Sequence, residues 1–377
     1  MTRKQREAVD ALHRNAPVHP NPTLEEQRAG FAGALSRPRP GDVAVRETEL
    51  GGRPALDLTP ATATGRGRLL YLHGGGYVLG APGTHTGITG QLASRARLRT
   101  TSLDYRLAPE HPFPAAVDDG LAAYRALLDE GVRPEELVLA GDSAGGGLAV
   151  ATLVAARDAG LPQPAGAVVF SPWVDLTLGG QSMSTKKDAD PIFTPEAIQA
   201  FATHYLAGQD PAHPLASPVF ADLRGLPPLL VQAGSNELLL DDAVRLAARA
   251  AADDVDVTLR VWAQVPHVFQ NHFGHLDEAD EALDEAARFL SVRVGAGQET
   301  PGVWADVRTG AAPPRWTGTR DGDRLTVWQR ARGPAVPVPG GAARPERRGR
   351  AAPLRSTACS SGPGGPAARR AARVRQG

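Results

Sequence analysis

The chain has 377 residues with equal numbers of basic and acidic side chains, 42% apolar and 22% charged residues. That is the composition of a soluble globular protein of one large domain or two small ones. A single cysteine, Cys359, excludes a disulfide framework. The overall neutrality hides an asymmetry: residues 297–377 hold 15 Arg against 5 acidic residues, leaving 26 basic and 36 acidic residues in 1–296.

The start, Met1-Thr-Arg-Lys-Gln-Arg-Glu, is charged and no apolar run follows it, so no secretory signal and a cytoplasmic location are expected. No stretch is long and apolar enough for a membrane span. Residues 4–16 suit an amphipathic helix with Val9, Leu12 and Ala16 on one face, ended by Pro17, Pro20 and Pro22. A second helix is expected over 24–35. The pattern then turns to β, with runs at 43–50 and 54–58 around Gly51-Gly52, which reads as a hairpin.

From residue 68 short apolar runs alternate with helical stretches. Strands are expected at 68–72, 100–103, 137–140, 167–170, 228–232 and 257–262. Helices are expected at 114–129, 144–159, 239–252 and 276–290. This alternation implies an α/β fold, a mostly parallel central sheet with helices on both faces. Residues 182–218 break the rhythm with a longer segment carrying its own helix near 195–206, a candidate lid. Residues 297–377 contain 13 Gly and 10 Pro without a repeat period, which predicts a disordered extension. Its arginines are interspersed with Ala, Gly and Pro, so no nucleic-acid partner is expected.

Gly141-Asp142-Ser143-Ala144-Gly145 follows an apolar strand and opens a helical stretch. That context suits a tight strand-to-helix turn presenting Ser143 as a nucleophile. His73-Gly74-Gly75-Gly76 also follows a strand, and its glycines leave backbone N–H groups open toward a developing oxyanion, with the N–H of Ala144 as a third donor. A Walker-type phosphate loop would need Gly-Lys-Ser/Thr, which is absent. His73 itself reads as a structural hydrogen-bonding residue.

A serine nucleophile needs a base and the base needs an orienting acid, in the chain order Ser, acid, His for this type of turn. Glu237 follows the strand at 228–232, and His267 follows the last strand. Asp241 is the rival acid. Asp241 and Asp242 fall inside the next helix and are expected to face solvent or cap the turn, and His272 and His275 lie further from the strand end. Residues 104–115, with three prolines and two acids close to Arg106, read as a rigid ion-paired loop holding the elbow, so Tyr105 and Arg106 are left out of the reacting set.

Together the His73–Gly76, Asp104–Ala115 and Gly141–Gly146 motifs resemble the bacterial hormone-sensitive-lipase-like esterases, the family IV lipolytic enzymes of the α/β-hydrolase superfamily. The resemblance covers residues 1–292. It implies an α/β-hydrolase domain over 1–296, a helical cap built from 1–40 and 182–218, and an oxyanion hole of Gly75, Gly76 and Ala144. It also implies a small-molecule ester of short-to-medium acyl chain as substrate, in a pocket lined by Leu79, Phe201, Tyr205 and Val268. The family's acid is usually Asp followed by Pro-Leu, whereas this chain reads Glu237-Leu238-Leu239, like a subgroup that uses Glu. No metal or organic cofactor is implied, and a homodimer is compatible with the sequence. An amidase or natural-product deacetylase with the same triad, or a non-catalytic binding protein on the same fold, remain as alternatives.

Overall fold

The structure, a computed structural model, describes residues 3–16, 22–63 and 65–295. The chain divides into two units, Met1–Pro301 and Gly302–Gly377. The tail from 297, and with it the expectation of a disordered extension, lies outside the described residues.

In chain order the elements are α1 (Arg3–Arg14), α2 (Leu24–Leu35), β1 (Val43–Leu50), β2 (Arg53–Pro60), β3 (Arg68–Leu72), α3 (Thr86–Ala96), β4 (Arg99–Leu103), α4 (Ala115–Asp129), β5 (Leu137–Asp142), α5 (Ala144–Asp158) and β6 (Gly166–Phe170). They continue as α6 (Ser182–Thr185), α7 (Pro195–Leu206), β7 (Leu229–Asn236), α8 (Leu240–Ala252), β8 (Val257–Pro266) and α9 (Asp277–Arg293). The strands form one sheet in the order β1-β2-β4-β3-β5-β6-β7-β8. β2 runs antiparallel to β1 and β4, and all other pairs are parallel.

The two-residue side-chain period divides the central strands between two cores. Leu70, Leu72, Leu137 and Leu139 face one side, where they pack with Leu148 and Leu153 of α5 and Leu127 of α4. Leu69, Tyr71, Val138 and Ala140 face the other, against Ile88 and Leu92 of α3 and Leu283 and Leu290 of α9. Strands buried on both faces read as unbroken apolar runs, which is why they are visible in the sequence. Burying one such leucine contributes about 2 kcal/mol.

Three local expectations need correction. Helix α3 was not anticipated, because two glycines and two threonines in Thr86–Ala96 depress helix propensity. Those glycines serve contact: a Cβ on Gly87 would meet the Arg37 side chain at 2.7 Å. In α1 only Val9 is buried. Leu12 is 56% exposed and Ala16 lies past the helix end. The inward face of α1 is instead Arg6, Val9 and His13, three and four residues apart, with Arg6 paired to Glu278 and His13 to His272. Third, β7 and β8 each end four residues later than expected, with a bulge at Gly234/Asn236, and this carries Glu237 and His267 out to the sheet's carboxyl edge.

Candidate active site

Ser143 sits between β5 and α5 with φ 53° and ψ −124°, a conformation costly for a side-chain-bearing residue. Three backbone hydrogen bonds hold it there. Its N–H donates to the Phe170 carbonyl at 2.8 Å, and its carbonyl accepts from Trp173 at 2.9 Å and Gly147 at 3.1 Å. The turn closes only because its flanks are glycine: a Cβ on Gly145 would collide with the Leu72 and His73 carbonyls, and one on Gly141 with the Gly145 carbonyl. Ser143 is 8% exposed, at the N-terminus of α5, where the helix dipole favours negative charge.

Beside it runs the His73–Gly76 loop. Among the described residues, the N–H groups of Gly75, Gly76 and Ala144 donate to no protein acceptor. A buried carboxylate ties loop to elbow: Asp142 Oδ1 accepts from the Gly74 N–H at 3.0 Å and from the Tyr71 hydroxyl at 2.6 Å. Its Oδ2 lies 3.5 Å from His85 Nε2, an electrostatic contact longer than a good hydrogen bond. Burial pushes the Asp142 pKa up, but His85, Tyr71 and His73 outweigh that and hold it below its ordinary value.

His73 is fully buried, bonds through Nδ1 to the Gly74 carbonyl at 2.8 Å, and stacks on Tyr105, whose hydroxyl donates to the His73 carbonyl at 2.7 Å. Burial, reinforced by His85, lowers its pKa to about 3, so it stays neutral. The 104–115 loop therefore supports the glycine loop as expected, but its ion pairs reach outside the loop. Arg106 pairs with Asp119 of α4 at 2.6 Å, and Glu110 with Arg28 of α2 at 2.7 Å.

His267 Nδ1 lies 2.9 Å from Glu237 Oε2, with His267 6% exposed and Glu237 fully buried. Among the described residues the other ring nitrogen, Nε2, has no hydrogen-bond partner. Burial lowers the His267 pKa, but the Glu237 hydrogen bond and charge, then the Asp190 and Asp142 charges, outweigh it and leave the pKa raised. The His267 loop is fixed by the Val268 N–H donating to Ser171 Oγ at 3.0 Å.

The rival acids are occupied elsewhere. Asp242 does not face solvent: it is fully buried and accepts the Val174 and Asp175 N–H groups at 2.9 Å each. Asp241 accepts the Ser182 N–H at 2.9 Å. His272 bonds His13 at 2.9 Å through Nε2 on both rings, and its pKa falls to about 3 through burial and then His13. Asp190 carries no signal in the sequence. Its Oδ1 accepts from Ile192 and Phe193, and its Oδ2 accepts the Leu238 N–H at 2.8 Å, next to Glu237. In a single sequence it is one acid among several in the 182–218 segment.

A family model of the alpha/beta hydrolase fold matches residues 69–271, more than half of the chain. Similar proteins include an acetyl-hydrolase of Streptomyces hygroscopicus, 45% identical over 284 residues, covering 75% of this chain and 93% of that one. An esterase of Acinetobacter venetianus is 37% identical over 255 residues, covering 67% and 84%. Among solved structures, an esterase from the bacterial hormone-sensitive lipase family superposes with TM-score 0.76 at 43% identity, covering 78% of this chain and all of that one.

The chain belongs to the bacterial hormone-sensitive-lipase-like esterases.

In this hormone-sensitive-lipase-like chain, Ser143, His267, Gly75 and Gly76 open onto one cavity of about 190 Å³. Phe31 and Leu35 of α2 and Ile198 and Phe201 of α7 line it, with Ile192, Phe193 and Leu239. Phe193 meets the His267 ring edge-on at 5.2 Å. Of the four lining residues expected, Leu79, Phe201 and Val268 are there. Tyr205 is not: it is buried behind the wall, stacked on Tyr77 at 3.8 Å. Among the described residues no group of three or more His, Cys, Asp or Glu is arranged to hold a metal, and no helix is long and apolar enough to cross a membrane.

Proposed function

We propose that this chain is a serine carboxylesterase acting on short-to-medium acyl esters through Ser143, His267 and Glu237. The observation that carries the reading is the His267 side chain. One ring nitrogen is bound to a buried carboxylate, and the other has no hydrogen-bond partner among the described residues, in a ring that lines the same cavity as Ser143. A neutral imidazole with Nδ1–H given to Glu237 presents a lone pair at Nε2, the tautomer a general base requires.

In this mechanism Nε2 takes the hydroxyl proton as Ser143 Oγ attacks the ester carbonyl. Glu237 holds the ring and stabilises the imidazolium. The uncommitted N–H groups of Gly75, Gly76 and Ala144 receive the oxyanion, a contribution of about 3 kcal/mol per donor in comparable sites. His267 then protonates the leaving alcohol. Water, deprotonated by the same nitrogen, releases the acid and restores Ser143. The apolar walls from α2, α7 and residues 192–193 form the acyl-binding cap, so 1–40 and 182–218 belong with the hydrolase domain over 1–296. A small-molecule ester is the partner this site fits, and no cofactor is called for.

The test is a panel of p-nitrophenyl esters from acetate to decanoate with the purified protein, alongside matched anilides. Turnover that peaks at short-to-medium esters supports the reading, and turnover confined to anilides shifts it to an amidase. The acetyl-hydrolase name of the Streptomyces relative favours the small acyl end. Absence of turnover on both series, with no labelling of Ser143 by a phosphonate, would overturn it.

A further inference from the structure

At the opposite end of the sheet from Ser143, arginines outnumber the buried acids available to them. The register places them on one face. Arg46 of β1 stands opposite Asp57 of β2, Asp57 opposite Thr101 of β4, and Arg99, two residues from Thr101, opposite Arg68 of β3. Asp57, 5% exposed, is the one carboxylate in this row. It accepts from Arg46 at 2.8 Å, Arg99 at 2.5 Å and Thr101 at 2.7 Å.

Arg68 is left over. Its side chain makes no ion pair or hydrogen bond among the described residues, and its cross-strand neighbours are Arg99 on one side and the apolar Leu137 on the other. Like charges directly opposite on adjacent strands are unfavourable. Burial, then Arg99, lowers the Arg68 pKa against the pull of Asp57 and Glu130. Arg99 is also incompletely satisfied, since its Nε is buried without a partner.

These side chains do not fill the space between them. They surround a cavity of about 110 Å³, lined by Arg46, Arg68 and Arg99 together with Asp57 and Thr101, with Leu127 of α4 and Glu130 just past its end also in the lining. Glu49 and Glu130 stand at the rim, both exposed, and neither closes an ion pair with Arg68. Two arginines paired in register at one small cavity, the Arg68 side chain unpaired among the described residues, supply the fork-shaped donor sets with which arginine binds oxyanions.

We propose that the Arg68–Arg99 cavity is a binding site for a small phosphate-type oxyanion. The anion bridges Arg68 and the free edge of Arg99, taking the place in the charge row that no side chain fills. The volume suits inorganic phosphate or sulfate and leaves no room for a nucleotide. The site begins at the first residue of β3, about 20 Å along the strands from the Ser143 turn, so it is separate from the ester cavity and independent of the proposed reaction.

The experiment is calorimetric titration of the full chain with inorganic phosphate at constant ionic strength, made up with sodium chloride. Arg68→Gln, Arg68→Lys and the distant control Arg224→Gln are run in parallel. The expected result is one saturable site in the parent and in Arg224→Gln, competed by sulfate and not by acetate. Affinity should fall at least tenfold in Arg68→Gln and by less in Arg68→Lys, which keeps the charge and loses the fork. The arginine-rich tail is common to all four proteins and cannot produce that difference. Without phosphate, Arg68→Gln should melt no lower than the parent, because the arginine it removes has no partner. Its p-nitrophenyl acetate turnover should stay within twofold. Non-saturable binding, equal binding by Arg68→Gln, or a marked loss of stability in phosphate-free Arg68→Gln would overturn the proposal.

Discussion

Asp190 Oδ2 accepts the backbone N–H of Leu238 at 2.8 Å, which fastens the segment between β6 and β7 to the residue that follows Glu237. The same carboxylate holds its own loop through Ile192 and Phe193, and Phe193 meets the His267 ring. One side chain thus positions both the proposed acid's loop and an aromatic wall of the cavity. Replacing Asp190 by Ala leaves three N–H groups without their acceptor. Hydrogen bonds to a charged group contribute about 1.5–3 kcal/mol each, so a loss of about 3 kcal/mol or more is expected in denaturant unfolding. Asp190→Asn, which can still accept hydrogen bonds, should lose less. Equal stability of Asp190→Ala and the parent would show that the clamp is idle.

The pH dependence follows from the charges that face His267. Its raised pKa means that the imidazole gains a proton at a pH above the ordinary histidine value of 6.5. The protonated ring cannot accept from Ser143. The acid limb of kcat/KM, which reports the free enzyme, should therefore have its midpoint above 6.5 and fall toward lower pH. Asp190→Asn removes one of the three carboxylates that raise this pKa, so the midpoint should move down. A midpoint that stays fixed or rises would contradict the assignment of His267 as base.

Ser143→Ala should reduce ester turnover to background while leaving the melting temperature close to that of the parent. The hydroxyl is the proposed attacking group, and among the described residues no hydrogen bond of the fold uses it. Mass spectrometry after treatment with a serine-directed phosphonate should locate the adduct on Ser143 alone.

For the acid, Glu237→Gln keeps the shape and removes the charge that orients His267. A drop in kcat on the order of ten-thousand-fold is expected by analogy with other triads. Asp241→Asn should cost far less, because Asp241 is engaged with the Ser182 N–H and not with the imidazole. Turnover measured on both variants, each checked by circular dichroism, decides between them. Greater damage from Asp241→Asn would move the acid by one helical turn.

Phe201 bears directly on acyl length. Its ring packs against Gly76 so closely that a Cβ there would meet Cγ at 2.8 Å. Phe201→Ala should open the cavity beside the proposed oxyanion donors. The ratio of octanoate to acetate kcat/KM should rise about tenfold, the scale on which apolar pockets discriminate chain length. An unchanged ratio would place the acyl chain against another wall.

What could be read from the sequence divides along a physical line. Strands β3, β5 and β6 announce themselves because both faces are apolar, and the Ser143 turn because only glycine fits beside it. Glu237 and His267 follow from where strands end. Asp190, Asp142 and Ser171 were not legible in these roles, since each acts by accepting a backbone N–H from a segment 48, 68 or 97 residues away. Nothing in the local pattern marks such a partner. Helix α3 was missed for a related reason. Its glycines lower helix propensity while allowing contact with residues 37–40, a benefit that appears only once the chain is folded. Tyr205 and Leu12 show the converse error, where an apolar or aromatic residue at helical spacing was given the wrong side of the wall.

Asp142 has a consequence for how relatives of this chain can diverge. Its carboxylate is the joint between the Ser143 turn and the glycine loop, shared by Tyr71, the Gly74 N–H and, at longer range, His85. A relative that exchanges this aspartate for a neutral side chain must also resettle a buried phenol, a backbone donor and a buried imidazole. Those positions are therefore bound to change as a set, and mutational drift at one of them should be followed by drift at the others.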